Sequence, residues 1–120
     1  AMLRDLAAQL GVVDCVCFAG WVEDTSSLYN ALDINTLTSL SETFPYALTE
    51  GARFALPTVA TRVGGVPYLI DHGVNGYLIQ PGDHEALARH LADLAVSPAL
   101  RRLADALCSG KHLYSGIGKS

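Results

Sequence analysis

Leu3, Leu6 and Leu10 recur at i, i+3 and i+7 ahead of Gly11, a spacing that predicts an amphipathic helix over residues 2–10. Val13 to Ala19 then reads as a short buried strand. Asp24 or Thr25 can cap a helix that carries Leu28, Ala31 and Leu32. Asp33-Ile34-Asn35-Thr36-Leu37-Thr38-Ser39 predicts a strand over 34–38, and Pro45, preorganised for a first helical turn, opens a helix over 45–54. Thr58 to Thr61 is an apolar, β-branched run, residues 66–71 a short helix, and Tyr77 to Ile79 a last strand. Asp83 caps a helix with Leu87, Leu91 and Leu94 on one face, and Ser97-Pro98 begins another with Leu100, Leu103 and Leu107.

Strand and helix alternate with short links, which predicts right-handed βαβ units and an α/β fold with a parallel sheet covered on both faces. Four strands are expected, at 13–19, 34–38, 58–61 and 77–79. Ligands of such sheets bind at the carboxyl ends of the strands. Gly20-Trp21-Val22, Ser41 to Tyr46 and Arg62 to Pro67 all follow strand ends. In the second of these loops Glu42 precedes the helix by a few residues, and Glu50, separated from it by seven residues, lies inside it. A helix N-terminus is an anion-binding end. Two carboxylates beside it suit a sugar nucleotide, with phosphates on the amides and acids on sugar and ribose hydroxyls.

With 120 residues there is room for one small domain, and half of the residues are hydrophobic, enough for a substantial core. Eight basic residues against 12 acidic give a net charge of −4, with no basic stripe, so nucleic acid is not an expected partner. Cys15, Cys17 and Cys108 are an odd number without a C-x-x-C pair, and two of them alternate along the predicted strand. They read as reduced core residues. No apolar run reaches the ~20 residues of a membrane span and no leader pattern opens the chain, so a cytoplasmic location is expected. His72, His84, His90 and His112 show no metal-ligand spacing, and His84 and His90 read as solvent-facing positions of one helix. Gly116-Ile117-Gly118-Lys119-Ser120 has neither the spacing nor the following helix of a phosphate loop.

The run from Glu42 to Glu50 resembles the E-x7-E signature of the GT-B glycosyltransferases of family 4. The likeness continues through Glu50 to Thr61, the double-glycine loop Val63-Gly64-Gly65-Val66-Pro67, the turn and strand Gly73 to Ile79, and Pro81-Gly82-Asp83. Residues 1–108 fit in order as part of a carboxyl-terminal, Rossmann-like donor-binding domain, and 109–120 are expected to be a divergent or disordered, Gly/Ser-rich tail. The resemblance implies a retaining, hexosyltransferase-type enzyme that moves a sugar from a nucleotide diphosphate sugar to the hydroxyl of a carbohydrate or lipid-linked acceptor. It implies no metal, in keeping with the lack of a D-x-D pair, and no covalent enzyme nucleophile. The family's acceptor domain and the first strands of its donor domain, with the Arg and Lys that neutralise the diphosphate, have no counterpart in these residues. The isolated piece is expected to be inactive, and peripheral membrane association would run through those absent parts. A noncatalytic nucleotide-sugar-binding module and another GT-B activity, such as an epimerase, are the alternatives.

By the same resemblance, Glu42, the first acid of the signature, is the catalytic residue that lies against the donor sugar near the reacting centre, and Glu50 holds the ribose hydroxyls. Thr43, Phe44 and Tyr46 belong to the loop whose amides contact the donor sugar, and Trp21 and Val22 to the loop that stacks or hydrogen-bonds the base. Each has a plainer reading: Glu42 as a loop acid, Glu50 as a polar helix position, Phe44 as a core aromatic, Trp21 as surface. Gly64 and Gly65 read first as turn residues. Two positions depart from the family pattern: Tyr68 where Glu is usual, and Ala55 where glycine is expected. The second costs up to ~1 kcal/mol if the backbone there is left-handed.

Overall fold

Asn35–Leu37 (β1), Thr58–Thr61 (β2) and Tyr77–Ile79 (β3) hydrogen-bond into one parallel sheet in the order β1-β2-β3. Asn35 lies opposite Thr58 and Val59 opposite Tyr77 in the register. The computed structural model describes residues 2–96, which add α1 (Met2–Gln9), a 3-10 turn at Val13–Cys15, α2 (Thr25–Asn30), α3 (Tyr46–Arg53), α4 (Val66–Leu69) and α5 (His84–Val96). The helix expected after Ser97-Pro98, Cys108 and the tail lie outside the described residues.

Successive right-handed crossovers in one direction across a sheet place their connecting helices on the same face. Here α3 and α4 share a face, where Leu48, Ala52, Val66, Leu69 and Ile70 pack on Ala60 and Leu78. The chain then turns back, and α5 covers the other face with Ala86 and Leu94 against Val59 and Ile79. Alternate strand residues thus feed two apolar layers, and each fully buried Val or Leu contributes ~1.5–3 kcal/mol of transfer free energy. All of β2 is buried, as a central parallel strand requires.

Polar residues inside this core are paired. Asn35 Nδ2 donates to the Ala47 carbonyl at 3.0 Å and ties β1 to α3, and Gly51 leaves the room its side chain needs. Asn75 closes the turn after α4, donating to the Leu69 carbonyl at 3.1 Å and accepting from the Asp71 amide at 2.7 Å.

Three expectations are corrected. Residues 13–19 form no strand: the run begins as a 3-10 turn with exposed valines and stays out of the sheet. A strand needs a neighbour for its amides and carbonyls. This run lies instead beside α1, whose Ala7 carbonyl accepts from the Val12 amide at 3.0 Å. Cys15 and Cys17 are accordingly exposed free thiols rather than core residues. Pro45 also stands one position earlier than expected, as the N-cap of α3 with a non-helical ψ of 80°.

Candidate functional site

Two loops meet at the carboxyl edge of the sheet. Where β2 ends, the buried Thr61 hydroxyl donates to the Ser39 carbonyl at 2.6 Å and fixes the start of the loop after β1. Ser39 Oγ in turn donates to Glu42 Oε1 at 2.9 Å, so the half-buried Glu42 is held in one orientation with its second oxygen left over. The loop after β2 comes up against this one backbone to backbone. Gly64 has φ +50°, and a Cβ there would overlap the Glu42 carbonyl oxygen. A Cβ on Gly65 would stand 2.9 Å from the Thr43 carbonyl oxygen. The double glycine is therefore a requirement for approach, beyond the turn function expected of it.

The same loop feeds α3. Asp24 caps α2 by accepting from the Ser27 amide at 3.1 Å, and Asp83 caps α5 by accepting from the Ala86 amide at 3.0 Å. No side chain caps α3. Its partial positive charge lies at the end of the loop that carries Glu42, an arrangement that favours an anion. Thr43, Phe44 and Tyr46 are exposed around this end, with the Phe44 and Tyr46 rings tilted together at 4.8 Å.

Glu50 sits one turn further along α3, half-buried, on the wall of a cavity of about 410 Å³. Thr25 and Ser26 of α2 and Arg53 and Phe54 complete the lining. Tyr29 stacks on Phe54 with ring centroids 5.5 Å apart. Burial, followed by the charge and hydrogen bonding of Glu50, raises the Tyr29 phenol above its ordinary value, so it remains a protonated donor at neutral pH. A smaller, mostly apolar cleft of about 160 Å³ lies on the α5 side of the strand ends, between Thr38, Thr61 and Asp83, and neither glutamate lines it.

The structure thus gathers Glu42, Thr43, Phe44 and Tyr46 at one loop and places Glu50 on the helix that this loop begins. Trp21 stands apart, 91% exposed, and Val22 is half-buried nearby in sequence; neither lines the Glu50 cavity. Thr25 and Ser26 line that cavity and Tyr29 stacks beside it on Phe54; none of the three was anticipated as a site residue. Their signal was present in the cap at Asp24, which sets α2 so that residues three and four apart share a face.

A family model described as glycosyl transferases group 1 matches residues 1–97. The lipopolysaccharide core biosynthesis glycosyltransferase LpsE of Rhizobium meliloti is 35% identical over 104 residues, 86% of this chain and 31% of its own. The chain spans less than a third of the length of the curated relatives it matches. The crystal structure of HepE from Anabaena in complex with UDP is 26% identical, with a TM-score of 0.85 over 98% of this chain and 35% of that one. HepE with UDP-glucose gives the same TM-score at 28% identity, over 93% of this chain and 32% of that one. The carboxyl-terminal domain of LpcC, a group 1 family protein from Francisella tularensis, superimposes with a TM-score of 0.83 at 27% identity, over 98% of this chain and 60% of that one. The parallel sheet and its helices are those of a GT-B, Rossmann-like domain, and the chain belongs to the group 1 glycosyltransferases.

Proposed function

We propose that these residues are the carboxyl-terminal part of the donor-binding domain of a retaining glycosyltransferase, which moves a hexose from a nucleotide diphosphate sugar to an acceptor hydroxyl without a metal. One observation carries the reading: Gly64 and Gly65 pin the Glu42 loop at the uncapped end of α3, and Glu50 lines a cavity from the same helix. HepE, solved with UDP and with UDP-glucose, supports a nucleotide-sugar donor.

In this reading the diphosphate rests on the first amides of α3, where the helix end stabilises the charge that develops as the glycosidic bond breaks. Glu42, already oriented by Ser39, accepts hydrogen bonds from the donor sugar through its remaining oxygen. The amides of the Thr43, Phe44 and Tyr46 loop contact the same sugar, while Pro45 has none to give. Glu50 accepts from the ribose hydroxyls, and Trp21 and Val22, on the loop that leads into α2, meet the base. The acceptor is a carbohydrate or a lipid-linked sugar, bound largely by segments outside this chain on the cytoplasmic side.

The test uses the complete protein and a panel of nucleotide sugars. Glu50→Ala should weaken nucleotide binding, and unchanged affinity sinks its assignment to the ribose. Glu42→Ala should lower turnover far more than folding stability, and wild-type turnover removes its role. Release of nucleotide only with acceptor present marks transfer, whereas an altered donor without acceptor marks an epimerase.

A further inference from the structure

We propose that Tyr29 is a positioning residue for the donor ribose: its ring clamps α2 onto Phe54 at the end of α3, and its hydroxyl holds the Glu50 carboxylate in the aspect that faces the cavity. The inference rests on the donor-binding reading above and deepens it. On α2, Thr25 and Ser26 precede Tyr29 by four and three residues, so all three lie on the face turned to α3. Glu50 of α3 and Phe54, the residue that ends it, are likewise four apart. The Tyr29 and Phe54 rings stack nearly parallel, at 16°, beside the cavity that Glu50, Phe54, Thr25 and Ser26 line.

That geometry answers a problem the site poses. A glutamate has three rotatable side-chain bonds, and holding two ribose hydroxyls requires it to be fixed in one rotamer. Tyr29, whose proton is retained because burial and the Glu50 charge both oppose its loss, supplies one donor. A carboxylate offers about four lone-pair sites, so one bond from Tyr29 leaves acceptors for both hydroxyls. The two α2 hydroxyls across the cavity, Thr25 and Ser26, add polar partners on the opposite wall.

Tyr29→Phe keeps the ring stack on Phe54 and removes only the hydroxyl, which separates positioning from packing. The experiment is a calorimetric titration of the complete protein with UDP and with dideoxyuridine diphosphate, repeated with the guanosine pair, for wild type, Tyr29→Phe, Glu50→Gln and the double variant. Tyr29→Phe is expected to weaken the ribonucleotide about three- to tenfold, the worth of one net hydrogen bond. It should leave the dideoxy nucleotide unchanged and add little once Glu50 is Gln. Equal loss for both nucleotides makes the role of Tyr29 structural and overturns the proposal. Wild-type affinity in Tyr29→Phe, with Glu50→Gln still impaired, overturns it while sparing the donor reading. Wild-type affinity in Glu50→Gln, or no nucleotide binding at all, removes the donor reading and this inference with it.

Discussion

Leu94 in α5 and Leu6 in α1 occupy the same kind of position, an apolar member of a helical stripe, yet Leu94 is 0% exposed and Leu6 47%. Leu94 closes the layer formed by Val59, Ile79 and Ala86. Leu6 joins Leu3, Leu10, Val16 and Phe18 around a shallow apolar cleft, and only Ala7 of α1 is buried. The Arg4 guanidinium, 4.8 Å above the Phe18 ring, shields part of that surface. The contrast teaches that a periodic stripe specifies a face and leaves open what covers it. Around the sheet the covering elements are within residues 2–96; along α1 nothing among the described residues supplies one.

Truncation should separate the two regions most sharply. Leu94→Ala is expected to cost about 3 kcal/mol, since it removes buried methyl groups and leaves a cavity between α5 and the sheet. Leu6→Ala should cost less than about 0.5 kcal/mol, as exposed substitutions do. Denaturant unfolding of both variants measures the difference. A loss at Leu6 that rivals the one at Leu94 would show that α1 is covered by residues outside 2–96, and would break the comparison.

A second contrast lies inside the well-packed region, between helix ends capped by aspartates and the α3 end, which is built by glycines. Gly64→Ala meets both a left-handed backbone and the Glu42 carbonyl, so about 2 kcal/mol is expected. In the complete enzyme turnover should fall as well, because the strain is relieved by moving the Glu42 loop. Full turnover at reduced stability would show that the two loops need not touch for the reaction.

The sequence pattern located β1, β2, β3 and the helices between them because each is a local matter of periodicity and capping. The family resemblance also flagged Ala55 as standing where a glycine is expected. Ala55 does adopt φ 57°, in a helix ending where its amide donates to Ala52 and the Leu56 amide to Gly51. Ala55→Gly should therefore raise stability by about 1 kcal/mol, readable as a higher Tm; no change would mean that the turn relaxes around alanine without cost. What stayed hidden depends on contacts between distant segments. The Gly64 approach to Glu42 joins residues 22 apart, Tyr29 meets α3 across β1, and the run at 13–19 has strand-like alternation with no neighbour in the sheet. Trp21 is of the same kind, since residue type says nothing of whether its ring will be covered.

The smallest expected effect tests burial at a polar position. His90, read from its helix as solvent-facing, is half-buried and stacks on Tyr77 at 4.2 Å, with the His72 ring 5.7 Å away across the corner between β3 and α5. Burial, then His72 and Arg89, push its pKa below the ordinary 6.5, and Asp93 opposes them only in part. A depressed folded-state pKa means that the neutral ring is the one the fold favours. Its contribution is complete above the unfolded value of 6.5 and is lost as pH falls through the lower folded value. Between about pH 7.5 and about pH 5.5 the wild-type Tm should fall more steeply than that of His90→Phe, which keeps an aromatic face on Tyr77 without a titrating nitrogen. Leu6→Ala should follow the wild-type slope, because α1 takes no part in that corner. Parallel profiles for wild type and His90→Phe would place the linked proton elsewhere and show that half-burial at the edge of the core is too shallow to penalise a charge.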